Sequence, residues 1–285
     1  MRFALCAADR HRGVIEAFIR AGWAPVKLFS TPTDERLDYN RTLVARAIGL
    51  GLEVQLSPLR DDDLAALARR GCDALVVAGY DWRIGDWTPH LKYALNFHPS
   101  PLPEGRGPYP IIRAILEERP TWGVACHRIE PTFDTGPVLA SIDFALDADE
   151  CHESLDLKVQ LAIDRLAGRV AADLESLWAA ATPQADGSYW KRCSDAERTL
   201  DFRQPVADVL RRVRAFGLLE TLATVGGNTV HVRRAVGWIE KHSAVPGSVV
   251  HVGSPRTLVV AAADGFIGLV EWSSISAASA SQIGR

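Results

Sequence analysis

The 285-residue sequence predicts an α/β protein, a doubly wound and mostly parallel sheet followed by a smaller C-terminal β-barrel. Short apolar runs alternate with helical periodicity through the first half. Turn formers then interrupt the chain near Thr182, and beyond them the texture changes to segments rich in Val, Thr and Leu divided by glycine turns.

Arg2 to Ala7 and Ala24 to Phe29 read as strands bracketing a helix near Gly13 to Ala21. A helix near Tyr39 to Leu50 follows, then a strand at Val54 to Leu56, a helix near Asp61 to Arg70 and a strand at Ala74 to Val77. Sheets of this kind bind ligands beyond the carboxyl ends of their strands, so Ala8-Asp9-Arg10, Ala78-Gly79-Tyr80-Asp81 and the loop after Phe97 are expected to converge on one crevice. After Pro108 the pattern predicts a helix over Tyr109 to Glu118 and strands over Trp122 to Ile129 and Val138 to Phe144. A long helix from about Glu153 to Ala180 carries Leu155, Val159, Ile163, Leu166, Val170, Leu174 and Leu177 on one stripe. Thr182 to Ser188 reads as the start of a linker. A helix near Pro205 to Phe216 then precedes strands at Thr221 to Val225, Val230 to Ala235, Ser248 to Val252, Thr257 to Ala262 and Ile267 to Trp272, with turns at Gly226-Gly227-Asn228 and Asp264-Gly265. The expected division is a catalytic domain over 1–181, a linker over 182–201 and the barrel over 202–285, ending in a small, polar, frayed tail from Ser273.

With 47% hydrophobic residues the chain can bury a substantial core, yet no apolar stretch approaches a membrane span and the start lacks a secretory signal. A cytoplasmic protein without membrane partners is expected. The 5 cysteines form no C-x-x-C pair and their odd number argues against a disulfide framework. Cys126 precedes His127, but neighbours in a strand point to opposite faces, so it reads as a core residue rather than a nucleophile. The histidines lack metal-site spacing, so no metal is expected. The residues from Trp190 onward carry 12 Lys+Arg against 8 Asp+Glu, making the tail +4 and the body −7 within a net charge of −3. So small a basic excess is common on ordinary surfaces and also suits phosphates.

Two short runs carry the chemistry: Asn96-Phe97-His98-Pro99-Ser100-Pro101-Leu102-Pro103 and Thr132-Phe133-Asp134-Thr135-Gly136. An amide donor, an imidazole and a carboxylate supply what acyl transfer to an amine needs: oxyanion stabilisation, proton transfer and a partner for the imidazole. Taken singly, Asn96 can end a strand, His98 can be a satisfied buried histidine and Asp134 can be a turn residue. Jointly, with Arg106-Gly107, Gly123-Val124, His127 and the Asp134-to-Leu139 run, they resemble the folate-dependent formyltransferases, in the branch that holds the methionyl-tRNA and sugar N-formyltransferases. The trailing barrel is similar to that family's OB-like C-terminal domain.

The resemblance implies that Asn96, His98 and Asp134 are catalytic and that 10-formyltetrahydrofolate is the formyl donor. An acceptor amine would attack the formyl carbon. Asn96 and a protonated His98 would donate to the oxyanion, and Asp134 would keep His98 charged and take the amine proton. His98 would then protonate the leaving folate nitrogen. The pterin is expected near Ala78 to Ile84 and the Glu130-to-Asp134 loop, with Ala78, Gly79, Tyr80, Trp82, Ser100, Leu102 and Glu130 as binding residues. Tyr80 and Trp82 read as stacking platforms or as gates for the acceptor. His127 reads as a strand-face residue.

Departures from the family pattern bear on the acceptor. Ser100-Pro101-Leu102-Pro103 replaces the usual Ser-Leu-Leu-Pro and stiffens the loop, leaving folate binding intact. The tRNA enzymes carry a basic insertion after the second strand, whereas Ser30 to Asp38 here is acidic and would repel a phosphate backbone. No glycine-rich phosphate cradle follows the first strand, which disfavours the glycinamide ribonucleotide branch. A small-molecule amine is therefore expected, an amino-sugar nucleotide or an amino-acid-derived amine such as a hydroxyornithine, with Asp9 and Arg10 touching the acceptor. The alternative acceptor is methionyl-tRNA, favoured by the basic tail with Arg211, Arg212, Arg214, Arg233 and Arg234. A non-catalytic folate- or RNA-binding relic is the second alternative. The exposed edge of a barrel strand offers a route to a homodimer.

Overall fold

In the computed structural model, residues 1–33, 38–254 and 256–274 are described. They fall into two compact units, one comprising 1–110, 121–145 and 157–190, the other 111–120, 146–156 and 191–285.

The first unit is built on strands β1 (Arg2–Ala7), β2 (Ala24–Phe29), β3 (Glu53–Gln55), β4 (Ala74–Ala78), β5 (Tyr93–His98), β6 (Thr121–Arg128) and β7 (Val138–Ala145). The sheet order is β3-β2-β1-β4-β5-β6-β7. The first five strands are parallel, and β6 and β7 extend the sheet in antiparallel fashion. The order reverses between β1 and β4, so the ends of those strands border the crevice where such sheets bind ligands. Strand alternation sends successive side chains to opposite faces. On one face Ala4, Cys6, Val26, Phe29, Leu75 and Val77 pack with Leu64 and Leu67 of helix α3, which follows α1 (Gly13–Arg20) and α2 (Arg41–Gly49) and spans Asp61–Arg69. On the other, Phe18 of α1 stands between Phe3 and Trp23, each 5.1 Å away, and meets Phe97 edge-on at 6.5 Å.

Helix α4 (Pro110–Leu116) lies mostly in the second unit, although it falls inside the 1–181 segment. The long helix expected to Ala180 divides into α5 (His152–Ala172) and α6 (Leu174–Ala179). Asp173 leaves the helical conformation (φ −141°, ψ 39°) while Val170 and Leu174 continue the apolar stripe, so periodicity alone does not register the break. The Trp23 indole donates to the Ala171 carbonyl at 2.9 Å and ties α5 to the first unit. Residues 182–190, where the linker was expected to begin, return to that unit through bridges of Thr182 with Val138 and Tyr189 with Arg106.

The second unit continues with α7 (Asp195–Arg198) and α8 (Val206–Phe216), then β8 (Thr221–Val225), β9 (Asn228–Ile239), β10 (Val249–Gly253), β11 (Thr257–Ala261) and β12 (Gly265–Ser273). The five strands form one antiparallel sheet in the order β10-β11-β12-β9-β8. Val206, Val209 and Val213, one stripe of α8, pack on Ala223, Val230, Val232, Ile267 and Leu269. All 5 cysteines carry free thiols. Among the described residues no helix is long and apolar enough to cross a membrane. Asp34 and Glu35 of the acidic loop, and residues 275–285 of the tail, lie outside the described residues.

At the end of β1, His11 is buried beside Arg10, and its Nδ1 has no hydrogen-bond partner. Burial, assisted by the Arg10 charge, pushes the imidazole from 6.5 down to about 3. The unfolded chain therefore takes up a proton below pH 6.5 that the folded chain refuses until about 3, so this residue costs stability as pH falls through that window. His11→Gln is expected to flatten the dependence of unfolding free energy on pH across the window by one proton's worth of slope. Urea titrations of both proteins at several pH values measure it, and parallel curves would count against the assignment.

Candidate active site

Asn96 and His98 are two residues apart on β5 and so share a face. β5 ends there because Pro99, which has no N–H, opens the loop over 99–107. That loop is fixed by one bond from β6 and one of its own: the Trp122 indole donates to the Pro99 carbonyl at 2.9 Å, and the Ser100 hydroxyl, fully buried, donates to the Glu104 carbonyl at 2.8 Å. Asp134 comes from the β6–β7 connection and sits in the left-handed region at φ +57°, which aspartate tolerates better than most residues.

These segments meet. The His98 Nδ1 lies 3.5 Å from Asp134 Oδ1, and the Asp134 side chain is 11% exposed. The Gly107 N–H donates to Asp134 Oδ2 at 2.9 Å. Gly107 has φ +95°, and a Cβ there would lie 2.5 Å from the Trp190 carbonyl oxygen, so no larger residue can bring its amide so close. On the far side of its ring, His98 Nε2 lies 2.9 Å from the Gly105 carbonyl. A carbonyl only accepts, so Nε2 bears the proton and Nδ1 is left to face Asp134.

His127, read from the sequence as a strand-face residue, is a member of the cluster. Antiparallel pairing of β5 with β6 sets it directly opposite Asn96. Its Nδ1 donates to the Arg128 carbonyl at 2.7 Å, which leaves Nε2 to accept from Asn96 Nδ2 at 3.1 Å. The same Nε2 is 3.6 Å from Asp134 Oδ1. Asn96 thus has its amide orientation fixed and keeps a second N–H for another acceptor. The sequence signal for His127 was cross-strand register, which is invisible until β5 and β6 are known to pair.

Burial alone would raise the Asp134 carboxyl, but contact with His127, the charge on His98 and the Gly107 amide outweigh it and hold the group at about 2. His98 moves below its ordinary value because burial outweighs the Asp134 charge and the Gly105 carbonyl, which raise it. The resting pair at neutral pH is a carboxylate beside a neutral imidazole. The sequence expectation of a protonated His98 is revised accordingly, since burial leaves its Nδ1 a proton acceptor first.

The remaining site residues separate into those free to meet a ligand and those engaged elsewhere. Asp9 accepts from the backbone amides of Thr42 and Leu43 at 3.0 and 2.7 Å, so its carboxylate caps α2. Arg10 lies against His11. The Tyr80 hydroxyl accepts from the Leu59 amide at 2.9 Å, and its ring packs against the core and, edge-on, against Trp82 at 5.4 Å. The Tyr80 hydroxyl is therefore held by the backbone, and the Ser100 hydroxyl is likewise spent within its own loop. Ala78 is buried, Gly79 and Glu130 are exposed, and Trp82 and Leu102 are half-buried. The loops over 78–87 and 129–134 are joined by Arg83, donating to the Pro131 carbonyl at 2.6 Å, and by the Trp87 indole, donating to the Ile129 carbonyl at 3.1 Å. Among the described residues, no cluster of His, Cys, Asp and Glu is placed to hold a metal ion.

Residues 51–166 match the family described as formyl transferase, and residues 192–282 match the formyl transferase C-terminal domain. The methionyl-tRNA formyltransferase of Novosphingobium aromaticivorans is 34% identical over 213 residues, covering 71% of this chain and 69% of that protein. That of Roseobacter denitrificans is 31% identical over 249 residues, covering 83% and 80%. Among solved structures, HypX from Aquifex aeolicus in complex with tetrahydrofolic acid superposes with a TM-score of 0.65 at 19% identity, over 95% of this chain and 44% of that one. The sugar 3N-formyl transferase WlaRD, solved in the presence of dTDP and 5-N-formyl-THF, superposes with a TM-score of 0.67 at 14% identity, over 94% and 96%. These two structures share the fold.

Asp134→Asn keeps the shape of the side chain and removes the charge that lifts the His98 imidazole. The His98 titration midpoint, followed by proton–nitrogen NMR of the imidazole, is expected to fall further below its wild-type position. An unmoved or raised midpoint would contradict the electrostatic assignment.

Proposed function

The chain belongs to the formyl transferase family, and on that premise we propose that it carries the formyl group of 10-formyltetrahydrofolate to an acceptor amine at Asn96, His98 and Asp134. The supporting observation is the convergence of these side chains: a buried carboxylate, an imidazole turned to it by Nδ1, and an amide whose orientation His127 fixes. The neutral amine attacks the formyl carbon, and the carbonyl electrons move to oxygen, where the second Asn96 N–H stabilises them. His98 Nδ1 takes the proton from the attacking nitrogen and becomes an imidazolium beside Asp134. That proton passes to the folate nitrogen as the bond from it to the formyl carbon breaks, and the imidazole returns neutral. No covalent enzyme intermediate is required.

The pterin belongs, in this reading, beside the loops joined by Arg83 and Trp87, where Ala78, Gly79 and Glu130 offer backbone groups and Trp82 and Leu102 apolar surface. Catalysis belongs to the segment over 1–181, completed by residues up to 190, with a second domain over 202–285 joined by the residues between them. Charged initiator tRNA is the first acceptor to test, supported by relatives named methionyl-tRNA formyltransferase and by the +4 charge from Trp190 onward. A small amine is the second reading, favoured because several arginines offered for tRNA are already held. Arg211 pairs with Glu118 and Asp208, Arg212 donates to the Glu197 carbonyl, and Arg234 pairs with Glu271 at 2.9 Å.

The test is tetrahydrofolate release from 10-formyltetrahydrofolate with methionyl-tRNA, amino-sugar nucleotides and hydroxyornithine as acceptors. Turnover is expected on one of them, with His98→Ala losing about 10²–10⁴-fold. The acid limb of kcat/KM is expected below pH 6.5, because burial lowers the imidazole that must be neutral to act. Affinity falling steeply with added salt marks the tRNA acceptor, and indifference to salt marks a small neutral amine. Folate binding without turnover on any acceptor would instead favour a binding relic.

A further inference from the structure

Residues 182–190 run back across the loop that follows His98 and the turn that carries Asp134. Thr182 and Val138 exchange backbone hydrogen bonds at 2.8 and 2.9 Å. Farther along, the Arg106 amide donates to the Ser188 carbonyl at 3.1 Å, and the Trp190 amide donates to the Arg106 carbonyl at 2.8 Å. The Ser188 hydroxyl accepts from the Gly105 amide at 2.8 Å, whose own carbonyl accepts from His98. A Cβ at Gly187 would lie 2.0 Å from the Pro103 carbonyl oxygen, so the two backbones are in close contact. The Trp190 indole stacks on Trp122 with ring centres 5.6 Å apart and planes 9° from parallel.

Gln184 occupies the middle of this strap. Its Nε2 donates to the carbonyls of Asp134 at 2.9 Å and Gly136 at 2.7 Å, while its Oε1 accepts from Arg106 Nε at 2.9 Å. The Arg106 guanidinium also donates to the Ala185 carbonyl at 2.9 Å. One amide thereby joins the turn that carries Asp134 to the loop whose next residue, Gly107, donates to the Asp134 carboxylate.

We propose that Gln184 is a positioning residue, holding the Asp134 turn against the loop over 99–107 so that the carboxylate and the His98 imidazole keep their working separation. The proposal rests on the formyl-transfer reading of the site. Gln184 touches neither reacting group, and its effect passes through the backbone of Asp134 and Gly136. A residue that merely tied the strap down would change stability and leave the chemistry alone. A positioning residue changes turnover and the protonation behaviour of His98.

The diagnostic variant is Gln184→Met in the full-length chain. It keeps the length of the side chain and adds no charge, but it deletes the two donations to the Asp134 and Gly136 carbonyls. Expected results are a kcat lower by about 10²-fold with tetrahydrofolate affinity unchanged, as for a small misplacement of a catalytic group. The His98 imidazole midpoint should also fall, because Asp134 no longer lifts it as far. Ser188→Ala, which deletes only the acceptor for Gly105, is expected to move kcat and the imidazole in the same direction by less, and covers the case in which the methionine variant fails to fold. Wild-type kcat and an unmoved His98 midpoint in a folded variant would overturn the proposal. The NMR arm needs no substrate: a wild-type chain inactive on every amine would sink the formyl-transfer reading, while a lowered His98 midpoint in Gln184→Met would still support the positioning role.

Discussion

A carboxylate withdrawn from water yet kept ionised is the constraint around which the first unit is arranged. An unpaired buried charge costs several kcal/mol, so Asp134 is tolerable only where compensating groups arrive together. The Gly107 amide, from the loop between β5 and β6, donates to it, while His98 from the end of β5 and His127 from β6 bring ring nitrogens able to carry a proton to within 3.5 and 3.6 Å. The antiparallel addition of β6 to an otherwise parallel sheet makes this possible, because it sets His127 opposite Asn96 and returns the chain to Asp134 a few residues later.

The two imidazoles are held in opposite tautomers. His98 carries its proton on Nε2, committed to Gly105, and His127 carries its proton on Nδ1, committed to Arg128. Each ring therefore turns an unprotonated nitrogen toward Asp134. The resulting volume is rich in acceptors, with a donor supplied by Asn96, which is the arrangement that supports the proposed attack by a nucleophile bearing N–H bonds.

The alternation of Arg2–Ala7, Gly13–Arg20 and Ala24–Phe29 was legible because each element follows one dominant period, and the strands of the second unit were legible because glycine turns separate them. β5 was not read as a strand in its own right, since the polar side chains of Asn96 and His98 interrupt its apolar pattern. Asn96, His98 and Asp134 were picked out because their runs are distinctive as a set, and the fold brings them together. The contact of His127 with Asn96 and that of Gln184 with the Asp134 turn were not legible, because each joins residues 31 to 50 positions apart in sequence. Asp9, Tyr80 and Ser100 were expected to meet a ligand, but neighbouring backbone amides or carbonyls hold their polar atoms. Residue type and address reveal the capacity to bind; only the hydrogen-bond inventory reveals what capacity is left.

The return of residues 182–190 across the loops of His98 and Asp134 also has a bearing on biosynthesis. All seven strands of the large sheet are made by residue 145, yet the glutamine that holds the turn carrying Asp134 is made fifty residues after it. Translation supplies the strands first and the strap late. The interval separates acquiring a shape from acquiring an occupation.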